Sequence, residues 1–172
     1  VHRLDNENLI DNDGRRILMD NLTGYKNELY RDPLTGVYNR RYYEDNIKDL
    51  NENSGVAMID LDDFKLYNDS YGHNAGDMAL ETIVSAIKKC IRSSDKIIRF
   101  GGDEFMVVIY NTSKTEIEDI LKQLSREKDR LNSSGNNMPI DYACGWAISD
   151  ADGECTIQML LDKADYYICL LY

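Results

Sequence analysis

The sequence predicts an α+β domain in which helices pack on a mixed or antiparallel sheet. Short apolar runs of strand length alternate with stretches of helical periodicity. Two runs, Lys96 to Phe100 and Phe105 to Tyr110, are separated only by Gly101-Gly102-Asp103-Glu104. That is the pattern of a hairpin with a glycine-led turn, so at least one strand pair is antiparallel. A length of 172 residues, with 42% hydrophobic and 30% charged, suits one soluble globular domain with a short extension.

The first segment is polar, with a turn-like Asp11-Asn12-Asp13-Gly14. From Arg15 onward Leu18, Leu22, Tyr25 and Leu29 recur at spacings of four, three and four, one helical stripe. Such a helix either packs on its own domain or ends a parallel coiled coil from an upstream sensor; two heptads leave the readings level. Pro33 disfavours helix at Asp32 and breaks the pattern. Asn39 to Leu50 reads as helix and Gly55 to Leu61 as a buried strand. A polar loop follows, then a helix from Asp77 to Ile91, through Leu80, Ile83, Val84 and Ile87. After the hairpin come a charged amphipathic helix (Thr115 to Leu131), a loop (Asn132 to Pro139), a strand (Ile140 to Ile148) and a last helix (Thr156 to Leu170).

Charge narrows the function. The net charge of -11, from 31 acidic and 20 basic residues, repels nucleic-acid phosphates, and no basic groove or stacking-aromatic series is visible. A polymerase-like action on long nucleic acid is therefore discouraged, whereas a small phosphorylated substrate remains compatible if metal masks local charge. No apolar run approaches the roughly 20 residues that span a bilayer, and no signal-peptide pattern opens the chain. It begins at Val1, so a sensor or membrane anchor could lie upstream. Cys90, Cys144, Cys155 and Cys169 are far apart and form no C-x-x-C, so they read as reduced thiols of a cytoplasmic protein without zinc.

Two features break ordinary design rules. Asp60 lies inside the apolar run Val56 to Leu61, where an unpaired carboxylate is costly. Asp103 and Glu104 sit at the tip of an apolar hairpin. If these strands are central and adjacent, the three carboxylates meet at one end of the sheet. Such a cluster repels itself unless a cation holds it, and hard oxygen ligands select Mg²⁺ or Mn²⁺. Magnesium with open positions for phosphate points to phosphoryl or nucleotidyl transfer. The blander alternatives are that Asp60 caps a following helix and that the hairpin acids are exposed turn residues. An EF-hand loop is excluded, because Lys65 and Tyr71 stand where it requires Gly and Glu.

These residues carry a family resemblance. Phe100-Gly101-Gly102-Asp103-Glu104-Phe105 matches the signature of GGDEF domains letter for letter. Asp32-Pro33-Leu34-Thr35-Gly36 with Asn39-Arg40-Arg41 resembles the family's opening motif. Asp60-Leu61-Asp62-Asp63-Phe64-Lys65, then Asn68, Tyr71-Gly72-His73 and Gly76-Asp77, resembles its second segment. The resemblance runs from about Asp32 to Asp165. It implies a palm-like nucleotidyl-cyclase fold with a central five-stranded sheet, in a domain at 32–172 behind a helical extension at 1–31. It also implies a diguanylate cyclase, in which two GTP-bearing domains meet face to face to make cyclic di-GMP.

Carried over residue by residue, the resemblance makes Asp60, Asp103 and the Leu61 carbonyl metal ligands, with Mg²⁺ or Mn²⁺ as cofactor. Glu104 becomes a metal ligand or a base towards the attacking 3′-hydroxyl. Asn68 and Asp77 fall at guanine-reading positions, and an amide with a carboxylate suits guanine's mixed edge. Asp63, Phe64 and Lys65 lie where phosphate is contacted, while Gly101 and Gly102 let the hairpin backbone approach the nucleotide. Taken singly, Asn68 could form a turn, Asp77 cap a helix, His73 order its loop and Lys65 be a solvated charge.

Arg92-Ser93-Ser94-Asp95 stands where many relatives carry an R-x-x-D inhibitory site for cyclic di-GMP, with a surface ion pair as the plainer reading. Such a site usually takes another arginine, for which Arg126 is a candidate. The family's last helix brings a lysine and an arginine to the triphosphate. Here Cys169 and Tyr172 stand at the tyrosine and lysine positions, and the chain ends before the arginine. That tail supports a second reading, a non-catalytic domain that binds GTP or cyclic di-GMP.

Overall fold

The computed structural model describes residues 12–134, 139–149 and 155–169. Among these residues five strands form one sheet: β1 (Tyr38–Asn39), β2 (Ser54–Leu61), β3 (Lys96–Arg99), β4 (Glu104–Tyr110) and β5 (Tyr142–Ile148). Their order is β1-β3-β4-β2-β5. Every pairing is antiparallel except β1 with β3, so the sheet is mixed. Among the described residues six helices flank it: α1 (Asn12–Tyr30), α2 (Arg40–Asn46), α3 (Phe64–Tyr71), α4 (His73–Cys90), α5 (Lys114–Ser133) and α6 (Ile157–Cys169).

Strand alternation divides the core in two. On one face Ala57, Ile59 and Leu61 of β2 and Phe105, Val107 and Ile109 of β4 pack against Leu80, Ile83 and Ile87 of α4 and Ile117 and Leu124 of α5. On the other, Val56, Met58, Met106 and Val108 pack under Tyr43 of α2 and Leu160, Leu161 and Ala164 of α6. Gly145 of β5 is required there, because a Cβ would collide with the α6 backbone at Ala164. At α5 a full capping box starts the helix, with Ser113 accepting from the Glu116 amide and Glu116 from the Ser113 amide.

The structure departs from the sequence reading at several element boundaries. The expected polar loop after β2 holds α3, and α4 begins four residues early, at His73. Gly72, at φ 88°, makes the break between the two helices. The expected turn at Asp11 to Gly14 is already helix from Asn12 on, while Asp11 lies outside the described residues. α2 stops at Asn46, four residues short of Leu50. Of the α1 stripe, Leu18, Leu22 and Tyr25 are 51%, 47% and 63% exposed, while Leu29 is half-buried. Among the described residues no helix is long and apolar enough to cross a membrane.

Candidate active site at the hairpin end of the sheet

The register of β2 against β4 builds the site. Asp60 lies directly opposite Glu104, and directly opposed residues project from the same face of the sheet. They extend the row Val56–Met58 and its partners Val108–Met106, so apolar pairs give way to two acids at the strand ends. Asp103 occupies the turn between β3 and β4. The Leu61 amide donates to its carbonyl at 3.2 Å, and the Phe100 amide donates to the Glu104 carbonyl at 2.8 Å. Both capping alternatives fall away: Asp60 lies within β2, and Asp77 sits inside α4, whose first helical residue is His73.

Electrostatics confirms the crowding. Burial pushes the Asp60 carboxyl up to about 6, and Asp103, Glu104, Asp62 and Asp165 push it the same way. Asp165 reaches this end of the sheet from α6. Gly101 makes room for the cluster, because a Cβ there would collide with the Glu104 carboxylate. Gly102 faces open space. The donors are all hard oxygens, the set that suits magnesium, and a cation would relieve the repulsion that Asp60 registers. Among the described residues, no three acidic, imidazole or thiol groups are already gathered into a metal cage.

A second group lies at the α3–α4 junction. Asp63 is left-handed (φ 49°) and turns the chain from β2 into α3, leaving Asp63 and Lys65 exposed and Phe64 half-buried. Asn68 of α3 packs its amide on Gly76 of α4, where a Cβ would collide with it. Asp77, the next residue, is exposed. His73 opens α4 and is exposed.

Two ties that the sequence reading passed over hold the hairpin. Arg99 donates to both oxygens of Asp32, at 3.0 and 3.2 Å, and to the Gly102 carbonyl at 2.7 and 3.2 Å. Asp32 also accepts from the Thr35 amide and hydroxyl at 2.7 and 2.6 Å. Burial pushes the Asp32 carboxyl up, but the Thr35 and Arg99 contacts outweigh it and hold it below its ordinary value. Phe100 is gripped edge-on by Tyr43 at 5.1 Å and by the Arg40 guanidinium at 4.7 Å. A charged residue inside the apolar run Ile97-Ile98-Arg99-Phe100 was the signal available.

Arg92 and Asp95 lie in the turn between α4 and β3. Asp95 is 7% exposed, and its oxygens accept from the Arg92 and Tyr110 amides at 2.9 and 3.2 Å. Arg92 pairs with Glu116 of α5 at 3.2 Å. Arg126 is exposed on α5. Of the closing segment, Leu170 to Tyr172 lie outside the described residues.

The family profile "Diguanylate cyclase, GGDEF domain" matches residues 29–169. This chain belongs to the GGDEF family. The GGDEF-family relatives include the probable diguanylate cyclase DgcC of Escherichia coli K12, 39% identical over 110 residues, covering 60% of this chain and 29% of DgcC. The cyclic di-GMP phosphodiesterase PdeB of Shewanella oneidensis is 33% identical over 140 residues, covering 78% of this chain and 16% of PdeB. Among solved structures, the diguanylate cyclase SiaD of Pseudomonas aeruginosa, in complex with its activator SiaC, superposes with a TM-score of 0.74 at 25% identity. That match covers 90% of this chain and 62% of SiaD. The chain thus spans less than a third of the two curated relatives. Its GGDEF fold and a role in cyclic di-GMP signalling are established at the family level.

Proposed function

We propose that the chain is a diguanylate cyclase, condensing two GTP into cyclic di-GMP and pyrophosphate as a transient homodimer of its 32–172 domains. The observation that carries this reading is the meeting of Asp60, Asp103 and Glu104 at the paired ends of β2 and β4. Asp60, Asp103, Glu104 and the Leu61 carbonyl would hold Mg²⁺ or Mn²⁺. When bound, the ion supplies charge neutralisation at the triphosphate and acidifies the ribose hydroxyl.

The chain's own groups do the rest. The Asp63–Phe64 backbone, at the start of α3, and the Lys65 ammonium face the phosphates. Asn68 and Asp77 read the guanine edge, the amide through donor and acceptor and the carboxylate through ring N–H groups. Glu104 takes the proton of the 3′-hydroxyl as it attacks the α-phosphorus of the partner's GTP. Pyrophosphate leaves, and the second bond forms by symmetry. Gly101 and Gly102 keep the turn slim enough for the nucleotide to lie over it. GTP as substrate places the reaction in the cytoplasm.

The exposed α1 stripe of 1–31 suits a second copy, which would bring two half-sites together. The alternative, a regulatory domain without turnover, draws on Cys169 and Tyr172 at positions where relatives carry tyrosine and lysine. The deciding measurement is cyclic di-GMP formation from GTP with Mg²⁺, for the parent chain and an Asp103→Ala, Glu104→Ala variant. Product from the parent alone, with turnover per molecule rising as protein is concentrated, supports the cyclase. GTP binding without product at any protein concentration moves the assignment to the regulatory domain.

A further inference from the structure

The end of β2 is held from both sides. Towards β4 the Leu61 amide donates to the Asp103 carbonyl at 3.2 Å, and towards β5 the Asp62 amide donates to the Asp141 carbonyl at 3.0 Å. The Leu61 carbonyl and the Asp62 amide belong to one peptide group. That peptide is trans, and a planar trans peptide points its C=O and its N–H in opposite directions. Fixing the Asp62 N–H on the β5 side therefore aims the Leu61 carbonyl the other way, towards the turn that carries Asp103. The direction of one proposed metal ligand thus depends on where Asp141 sits.

Helix α5 decides where Asp141 sits. Leu61 and Tyr142 are the last pair of the β2–β5 register, so Asp141 lies just beyond the strand. Lys128 of α5 donates to its carboxylate at 2.9 Å, with the ammonium 5.8 Å from the centre of the Tyr142 ring. The Lys128 side chain is only 18% exposed, although that of Asp141 is 66% exposed. One turn further along the same helix face, the Asn132 amide accepts from the Ile140 N–H at 3.0 Å and donates to the Ile140 carbonyl at 2.8 Å. It copies the pair of bonds that a neighbouring strand would make. An enclosed lysine beside such an amide clamps residues 140–142 to α5, which a solvated surface pair would not do.

We propose that Lys128 and Asn132 are positioning residues for metal binding. Through Asp141 they hold the Asp62 amide, and so aim the Leu61 carbonyl towards the Asp103 turn. This assignment rests on the metal site of the proposed function, but neither residue touches that site.

Mn²⁺ binding to the whole chain in the presence of 3′-deoxy-GTP, which cannot condense, tests this without turnover, by electron paramagnetic resonance. Lys128→Met keeps the stem beside the Tyr142 ring and removes the charge. Outer-shell partners of metal ligands ordinarily contribute about 10–100-fold in affinity; Lys128 acts one contact further out, so the expected loss is about three- to tenfold. Removing a positive charge by itself tightens cation binding, so a weakening marks lost orientation. Asn132→Ala, with no change of charge, should weaken Mn²⁺ binding as well. Lys128→Arg should recover most of it, and Lys122→Met, at an exposed lysine of α5, should not weaken it. Hydrogen exchange at the Asp62 amide should speed up in Lys128→Met, while Val56 and Met58 of the same strand stay as protected as in the parent, which shows that β2 remains folded. Unchanged Mn²⁺ affinity or unchanged exchange at Asp62 in Lys128→Met would overturn the proposal and leave the cyclase reading intact. A parent that binds Mn²⁺, is weakened by Lys128→Met and yet makes no cyclic di-GMP from GTP supports the positioning role and overturns the cyclase reading. A parent that binds no Mn²⁺ overturns both.

Discussion

Arg99 is where one side chain joins two motifs that are 67 positions apart in sequence. With Arg99 and Asp32 only 18% and 13% exposed at the side chain, the pair is shielded from the screening that weakens surface bridges. Arg99→Ala strands a mostly buried carboxylate and frees the Gly102 carbonyl. We expect a loss of about 1–3 kcal/mol in chemical denaturation. Cyclic di-GMP formation should fall by about tenfold or more, because the turn that carries Asp103 loses its anchor. Arg99→Lys should recover little, since an ammonium cannot hold carboxylate and carbonyl together as the fork does.

Asp32 also gives a pH prediction. Its folded-state carboxyl lies below the ordinary 3.8, so the stability it adds is present above that value and is lost as pH falls through the lowered one. The stability difference between the parent and Asp32→Asn should be flat from neutral pH down to about 5, then shrink below about 4. A difference that grew on acidification would contradict the assignment.

Helix propensity and tertiary contact disagree at Gly76. In an exposed helix interior, Gly to Ala stabilises by up to about 1 kcal/mol. Inside α4 the added methyl would strike the Asn68 amide and approach Phe64. Gly76→Ala should therefore destabilise, by about 1–3 kcal/mol. If Asn68 reads guanine as proposed, the variant should also raise the KM for GTP more than it lowers kcat, because the Asn68 amide is displaced. An unchanged KM in a folded variant would remove Asn68 from the substrate site. At α5 Ser113 and Glu116 close a capping box, and Ser113→Ala should cost about 1 kcal/mol in a thermal melt.

Across the whole molecule the exposed face of α1 matters most. Ile17, Leu18, Met19, Leu22 and Tyr25 are all roughly half exposed or more, while the domain's two cores close without them. A Leu18→Ser, Leu22→Ser variant should keep the parent's thermal midpoint when both are measured as monomers. It should sediment as monomer at concentrations where the parent associates, and its cyclase activity should need more protein to appear. Unchanged self-association would move the dimer contact elsewhere.

How much was legible depends on the range of the interaction involved. Strands β2 and β4, the helices α4, α5 and α6 and the acids at 60, 103 and 104 could be read because alternation, periodicity and a misplaced charge are local signals. The sequence by itself determined that Asp60 had to end in a polar setting, since an apolar run around a carboxylate leaves few options. Only the tertiary structure decided that its partner is Glu104, because the register fixing that pair joins strands 44 positions apart. It also decided that Asp95 is buried as a structural acceptor and that Arg99 faces Asp32 and Gly102. Such roles depend on which backbone amides and carbonyls arrive from elsewhere in the fold, and no spacing along the chain records that.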